Sequence, residues 1–303
     1  MKFLKIKKLF LCINLHIMIS KEQFEKELEI IISNAIREDI GDGDHSSLAC
    51  IPVIAKGKAK LLVKDKGIIA GVEMAKKIFN YVDENLQVET FINDGSVVNF
   101  GDVVFYVEGS SQSILKSERL VLNIMQRMSA IASKTNEFAK LLAGTKTKIL
   151  DTRKTTPGIR AIEKWAVVIG GGKNHRFALY DMIMLKDNHI DFCGDVTKAI
   201  TKTKQYLVDN NLDLKIIVEA RSLEEIKEIL VVGGVHRILI DNFDYETTRQ
   251  AVALIGNQCQ TESSGGINLE TARKYAECGV DYISSGALTH SIYNMDLSLK
   301  AMD

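Results

Sequence analysis

The chain contains very little proline, no net charge and no cysteine pair of a recognised kind. Its 303 residues include 2 prolines and 21 glycines, which excludes collagen-like and proline-rich disordered proteins. Lys and Arg total 39, and Asp and Glu also total 39, so a general nucleic-acid-binding protein, which carries a basic excess, is disfavoured. A local basic pocket for a small anion remains compatible with this balance. The length allows one large domain or two of moderate size.

The cysteines are scattered, and no two of them have the CxxC spacing of a zinc or redox site. This distribution predicts reduced thiols and a cytoplasmic protein. The five positions are Cys12, Cys50, Cys193, Cys259 and Cys278.

Residues 1–19 form an unusual leader, in which four lysines precede an apolar run over residues 9–19. The pattern resembles the first two regions of a secretory signal, but no small-residue cleavage site follows it. The run is also too short to span a bilayer, and no other stretch resembles a transmembrane helix. We therefore interpret the leader as a disordered extension, or as the product of an upstream start codon with Met18 as the functional start.

The first part of the chain mixes helices and strands. Ser20 and Gln23 predict a capping box at the start of a helix. Within residues 55–107, the runs KAKLLVKDKGIIAG and VVFYVEG predict strands, with a helix around residues 74–82 between them. A long helical pattern then covers residues 117–143.

After this helix, short apolar runs alternate with helical segments at the spacing of βα units, which predicts parallel strands. Charged residues or glycines follow the runs, as at the active-site mouth of a (β/α) barrel, whereas a doubly wound sheet would gather them at one switch point. Neither a Rossmann fingerprint nor a Walker A motif is present. The runs are 148–151, 182–186, 215–219, 237–241, a weak run at 258–262, and 281–284.

Two segments concentrate cations, LDTRKTTPGIR (150–160) and GGGKNHRFALYDMIMLKDNH (170–189). Guanidinium groups match carboxylates and phosphates, and lysines add point charges, so the set suits a small polyanion. A solvated basic loop is the alternative. The cations are Arg153, Lys154, Lys173, Arg176 and Lys186, with Thr152, His175 and His189 beside them.

Two carboxylates end neighbouring apolar strands, Glu219 in IIVEA and Asp241 in ILIDN. A carboxylate at the end of a buried strand needs a cation, a metal or a ligand hydroxyl. The pair suits hydrated Mg²⁺ or a ribose diol, and a structural ion pair with a barrel lysine is the alternative.

Two glycine loops follow the last two strands, where barrels often bind phosphate, although a glycine after a strand can also be a simple turn. We interpret Trp165, Met182 and Met184 as packing residues, and His175 and His290 could be neutral core histidines. The loop residues are Ser264, Gly265, Gly266, Ser285, Gly286 and Ala287.

Taken together, these motifs resemble quinolinate phosphoribosyltransferase, also called nicotinate-nucleotide pyrophosphorylase (carboxylating). The resemblance is carried by TRKTTPG, NHR, MLKDNH, VEA, IDN, SSGG and VDYISSGALTHS, with EDIGDGDHSS (38–47) and SERLVLNIMQRMSAIAS (117–133). It extends from about Glu38 to Ser291, and residues 1–19 have no counterpart. The departures are slight, since SSGG replaces the frequent ASGG and VEA the frequent VEV.

The resemblance implies an α/β fold, in which an α/β sandwich domain (20–130) precedes an incomplete (β/α) barrel (131–288) and residues 289–303 return to the sandwich. It also implies transfer of phosphoribose from phosphoribosyl pyrophosphate to quinolinate, with release of pyrophosphate and CO₂. Mg²⁺ is the implied cofactor, and a homodimer with shared active sites the implied assembly. A hexamer of dimers is left open.

The resemblance also implies roles for individual residues. Lys154, Glu219 and Asp241 are the implied catalytic groups, the two carboxylates holding ribose hydroxyls directly or through Mg²⁺. Lys154, His290 and the glycine loops face phosphate. The pyridine dicarboxylate is held by Arg119 of the other subunit, Arg153, His175, Arg176 and Lys186.

Two other functions remain open. One is a related phosphoribosyltransferase that acts on another acid, such as nicotinate or a molybdenum-associated substrate. The other is a non-catalytic anion-binding or metabolite-sensing barrel.

Overall fold

The computed structural model describes residues 19–302. The interpretation of the leader and of Met18 as the start falls outside that part. Within it, no helix combines the length and the apolarity needed to cross a bilayer.

An antiparallel sheet and its flanking helices form the first structural unit. The sheet has the strand order β12-β1-β5-β3, and β2 pairs with β4 separately. The C-terminal strand β12 pairs along β1, with Leu61 opposite Leu299, so the end of the chain returns to this sheet. The elements are α1 (Lys21–Ile40), α2 (His45–Cys50), β1 (Lys56–Val63), β2 (Gly67–Ile68), α3 (Val72–Val82), β3 (Gln87–Thr90), β4 (Val97–Val98), β5 (Val103–Ser110) and β12 (Leu297–Met302).

The long helix α4 (Ser111–Leu141) connects this unit to the second one and runs across the predicted boundary at residue 130. The predicted apolar face is buried, including Leu120, Met128 and Ile131. The helix begins six residues earlier than the pattern predicts, because the Ser110 side chain accepts a hydrogen bond from the Ser113 amide and caps it there.

Six parallel strands form the second unit, in the order β6-β11-β10-β9-β8-β7. Helices alternate with most of these strands, as the spacing predicts. The strands are β6 (Lys148–Leu150), β7 (Ile183–Leu185), β8 (Ile216–Ala220), β9 (Arg237–Asp241), β10 (Gln260–Ser264) and β11 (Tyr282–Ser284). The helices are α5 (Arg160–Ile169), α6 (Asp187–Cys193), α7 (Val196–Asp209), α8 (Leu223–Val232), α9 (Tyr245–Ile255), α10 (Ala272–Glu277) and α11 (Ala287–His290).

The structure corrects three local expectations. Gln23 does not close the capping box of α1: Ser20 accepts from the Gln23 amide as predicted, but the Gln23 side chain donates to the Tyr180 hydroxyl, 2.6 Å away. The short strands β3 and β4 have no apolar run that would reveal them. The weak run at 258–262 forms a strand two residues further on, at Gln260–Ser264, so Glu262 lies inside β10 rather than at its end.

Candidate active site

A cavity of about 340 Å³ lies at the carboxyl ends of the parallel strands, and we call it the upper cavity. Residues from or next to β6, β7, β9, β10 and β11 face it together, so the sheet curves around a lumen as in a barrel. Most of the cations predicted for the site are brought together here. The lining residues are Thr152, Arg153, Lys154, His175, Arg176, Met184, Lys186, Leu239, Glu262, Ser264 and Ser284.

Two arginines of the upper cavity form no ion pair within the described part of the chain. Arg153 is exposed at the rim, whereas Arg176 is buried and donates to the Met182 carbonyl, 3.2 Å away. Burial, and then the positive charge of Arg153, lowers the pKa of Arg176, against the smaller opposing effect of the Asp181 carboxylate. Neither guanidinium forms an ion pair with the residues between 19 and 302. The two side chains therefore present like charges to the same space, which favours a ligand with more than one negative group.

Glu262, which also lines the upper cavity, contacts two basic side chains. Its Oε2 atom lies 2.7 Å from Arg237 Nη1 and 3.4 Å from His175 Nε2. Burial alone would raise the pKa of Glu262, but the charges and hydrogen bonds of His175 and Arg237 outweigh it and lower the pKa to about 2. The Arg176 amide donates a hydrogen bond to His175 Nδ1, 2.7 Å away, and the other ring nitrogen, Nε2, faces Glu262.

The two carboxylates predicted to hold ribose or metal lie beside the cavity. Glu219 is buried, and its oxygens lie 3.1 Å from Lys186 Nζ and 3.4 Å from the Asp187 amide, so the alternative interpretation of this carboxylate, an ion pair with a barrel lysine, is present. Asp241 is partly buried and accepts from the Asn242 side chain, 2.6 Å away. Both stand at the ends of neighbouring strands, since β8 pairs with β9.

The glycine loops approach each other and the predicted phosphate-facing side chains. A Cβ on Gly286 would lie 2.7 Å from Lys154 Cδ and 2.8 Å from His290 Cδ2, so the loop touches both residues. The Ser285 hydroxyl donates to the carbonyl of Ile267, 2.7 Å away. Ile267 directly follows Gly266, so this hydrogen bond links the two glycine loops. The Ser285 hydroxyl is thus used within the protein.

The other glycine loop, residues 264–266, packs against Asn242, the residue after Asp241. Gly265 has φ +90°, and a Cβ there would lie 2.0 Å from Asn242 Oδ1, so only glycine fits. The backbone N–H of Asn242 also donates to the Ser264 carbonyl, 2.9 Å away. The backbone of the loop is therefore fixed next to Asp241.

A buried network behind the cavity was not found from the sequence. Asp151 accepts from Lys164 Nζ at 2.5 Å, from the Asn174 side chain at 2.5 Å and from the His175 amide at 2.8 Å. It thereby joins the end of β6, helix α5 and the segment that carries His175 and Arg176. Burial raises the pKa of Asp151 and lowers that of Lys164.

A second unpredicted pair links α4 to the barrel. Arg127 Nη2 lies 2.8 Å from the fully buried Glu163 and 2.5 Å from the Thr289 carbonyl. Glu163 also accepts from the Thr156 amide, 3.0 Å away. The signal in the sequence was faint, because Arg127 lies 36 residues from Glu163 and 162 residues from Thr289, and only the TRKTTPG string hints that Thr156 matters.

The remaining predictions have different outcomes. Trp165 and Met182 are buried, as packing residues should be, but Met184 lines the upper cavity as well as packing. Arg119 is exposed on α4 and does not line the cavity of its own chain. No group of three or more His, Cys, Asp or Glu side chains that could cage a metal occurs between residues 19 and 302.

Comparison with known proteins identifies the family. The family model for the quinolinate phosphoribosyl transferase C-terminal domain matches residues 131–300, and that for the N-terminal domain matches residues 44–129. A relative from Nicotiana tabacum, "Quinolinate phosphoribosyltransferase [decarboxylating] 2b, mitochondrial", is 45% identical over 289 residues, covering 90% of this chain and 82% of the relative.

Bacterial relatives extend the comparison. The probable nicotinate-nucleotide pyrophosphorylase [carboxylating] of Bacillus subtilis is 39% identical and covers 90% of this chain and 93% of its own. The solved structure of the nicotinate-nucleotide pyrophosphorylase from Francisella tularensis superposes with a TM-score of 0.84 at 34% identity, covering 91% of this chain and 96% of that one. The chain therefore belongs to the quinolinate phosphoribosyltransferase family.

Proposed function

We propose that this chain transfers phosphoribose from phosphoribosyl pyrophosphate to quinolinate and releases pyrophosphate and CO₂, giving nicotinate mononucleotide. The observation that carries the proposal is the pair Arg153 and Arg176, which share the upper cavity and form no ion pair with any described residue. A substrate with two carboxylates supplies the missing charges. Quinolinate, the pyridine dicarboxylate in the names of the plant relatives, has two.

The cations divide the cavity between the two substrates. Arg153, Arg176 and Lys186 are proposed to hold the dicarboxylate, with His175 beside them. Lys154 and His290 flank Gly286, so this side, with its two basic side chains, is proposed to hold phosphates. The Thr152 hydroxyl accepts from the Lys154 amide at 3.0 Å and so fixes the turn that carries Lys154.

Glu219 and Asp241 fit Mg²⁺ only in part. Two carboxylates at adjacent strand ends do not form an all-protein cage for a metal ion. They suit an ion such as Mg²⁺, which keeps several bound waters and takes substrate oxygens as its other ligands. We propose that they hold Mg²⁺ or the ribose hydroxyls, directly or through water. When bound, the metal would neutralise charge on pyrophosphate.

The proposed reaction has two chemical stages. The pyridine nitrogen attacks ribose C1 while the bond from C1 to pyrophosphate breaks, and Glu219 or Asp241 stabilises the positive charge that develops at C1. The nitrogen is then quaternary, so the electron pair of the bond to the 2-carboxylate can stay on the ring as CO₂ leaves. A proton then adds to that ring carbon. No covalent enzyme intermediate is needed.

Release of CO₂ that depends on both quinolinate and phosphoribosyl pyrophosphate tests the proposal directly. Nicotinate in place of quinolinate is the control, because it lacks the 2-carboxylate and leaves one arginine unpaired. Because nicotinate has no 2-carboxylate to lose, its turnover is followed by release of pyrophosphate. Pyrophosphate release with nicotinate but not with quinolinate would favour the related transferase, and binding of both substrates without turnover would favour a non-catalytic barrel.

Assembly and location are part of the same proposal. Arg119 is exposed and away from its own cavity, which supports a homodimer in which it completes the partner's site. We propose the cytoplasm as the location, on the free thiols of Cys50, Cys193, Cys259 and Cys278. The tobacco relative is named as mitochondrial, so cell fractionation decides the location.

A further inference from the structure

A second basic cavity lies at the opposite mouth of the barrel, at the amino ends of the strands. It has a volume of about 690 Å³, within the range of small-molecule sites, and we call it the basal cavity. Its lining residues are Lys146, Lys148, Lys173, Lys215, Val235, His236, Gly256, Asn257, Gln258, Cys259, Gln260, Asp281 and Tyr282.

The basal cavity carries uncompensated positive charge. Lys148, Lys173 and Lys215 form no ion pair with any residue of the described chain. Among the described residues that line it, the only acidic one, Asp281, already has partners, since it accepts from Lys146 Nζ at 2.8 Å and from the Thr261 amide and hydroxyl at 2.9 Å. Three positive charges therefore face the cavity without counter-charge.

These three lysines come from opposite parts of the curved sheet. Lys148 begins β6, and Lys173 lies beside that strand through a parallel bridge to Leu150. Lys215 immediately precedes β8, on the far side of β9, β10 and β11. The ammonium groups thus enter one cavity from different walls, whereas a solvated helix face would spread its lysines along one surface.

A layer of paired side chains separates the two cavities. Arg237 donates to Gln260 Oε1 at 3.1 Å and to Glu262 at 2.7 Å. Gln260 lines the basal cavity and Glu262 lines the upper one. The basal lysines are therefore not part of the upper site, and the cation nearest to both, Arg237, is already neutralised.

We propose that the basal cavity binds a small polyanion that bears phosphate groups. Lysines act as point charges for phosphate, and the side chains of Asn257, Gln258 and Gln260 add neutral hydrogen-bond donors at the same mouth. Because the cavity is open to solvent, binding weakens as ionic strength rises.

Calorimetric titration with tripolyphosphate tests this site. The parent variant is Lys154→Gln/Lys186→Gln, which weakens anion binding in the upper cavity. Lys148→Gln/Lys215→Gln is then added to it, and the matched control adds Lys202→Gln/Lys227→Gln, two exposed lysines on the outer helices. Citrate at equal ionic strength replaces tripolyphosphate in a second series, and melting temperatures confirm that each variant is folded.

The parent and the control are expected to bind tripolyphosphate equally, and the basal variant at least about tenfold more weakly, since it loses two charge-assisted contacts. Tripolyphosphate is expected to bind more tightly than citrate. Equal binding by the basal and control variants, no binding by the folded parent, or tighter binding of citrate overturns the proposal.

Discussion

Because Gly286 has no side chain, the side chains of Lys154 and His290 can pack directly against it. Its φ of −68° is ordinary, so Gly286→Ala strains no backbone, but the new Cβ displaces Lys154 and His290. We expect kcat/KM for phosphoribosyl pyrophosphate to fall by about 10- to 100-fold, as for a misplaced catalytic group, while the melting temperature stays the same. Full activity at an unchanged melting temperature would show that Lys154 does not face the phosphates.

Arg153 tests recognition of the acid at the same scale. It makes no ion pair within residues 19–302, so its removal should leave folding intact. Arg153→Ala should lose about 2–5 kcal/mol of transition-state binding, as when one partner of a close charge pair is removed. Steady-state kinetics with quinolinate measures the loss, with Lys202→Ala as a surface control. Nearly unchanged turnover would remove Arg153 from the site.

Helix α3 is capped by a residue from outside its own sequence. Asp94 accepts from the Val72 amide at 2.8 Å and from the Glu73 amide at 3.3 Å. Burial raises the pKa of Asp94 to about 6. Because the folded value exceeds the unfolded one, the protonated carboxyl favours folding below about pH 4, and this contribution is lost as the pH rises through 6.

Denaturant unfolding of Asp94→Asn between pH 4 and 8 checks that sign. The free energy of unfolding of the wild type should fall with pH, relative to the variant, by up to about 3 kcal/mol. Asp213→Asn, at an exposed position, is the control and should follow the wild type. Parallel profiles for Asp94→Asn and wild type would contradict the raised pKa.

The buried pair of Asp151 and Lys164 joins three elements, so it is expected to act on the framework of the site. Asp151→Asn leaves Lys164 buried without its partner and should cost about 3–5 kcal/mol of unfolding free energy. Lys164→Met in the same chain should restore part of that loss. A double-mutant cycle measures the coupling, and additive losses would show that the two groups do not depend on each other.

The elements that the sequence predicts well are those with a local signal. The spacing of apolar runs predicts parallel strands, and Ser20 predicts the start of α1, because each depends on neighbours along the chain. Strand β10, with the sequence QTESS, is polar because its side chains meet Arg237 and His175 in the lumen. Those partners are distant in sequence, so Glu262 was missed, as were the Asp151 and Arg127 networks.

At the scale of the whole molecule, the net charge is zero, but the positive charges are concentrated in two places. Arginines and lysines gather at both mouths of the barrel. The buried acids Glu163 and Glu262 pair with Arg127 and Arg237, which hold the framework together, whereas Glu219 pairs with Lys186 of the upper cavity. Composition could therefore exclude a generally basic surface without locating either cavity. The proposed anion sites arise from how the strands converge, which no local pattern reports.

The proposed dimer is also a property of the whole molecule. Arg119 lies on α4, outside the barrel, whereas Lys154 follows β6, so in a shared site the two residues serve one active site from different subunits. Arg119→Ala and Lys154→Ala homodimers should each be inactive. After subunit exchange, half of the mixed molecules at equal input are heterodimers, and each contains one intact site and one doubly altered site.

Activity should therefore return on mixing, to about a quarter of the wild-type value, because half of the dimers regain one of two sites. Exchange is confirmed by a size tag on one parent, and Arg119→Ala/Lys154→Ala mixed with wild type is the control that cannot gain new sites. If exchange occurs and the mixture of single variants stays inactive, Arg119 acts within its own subunit or not at all.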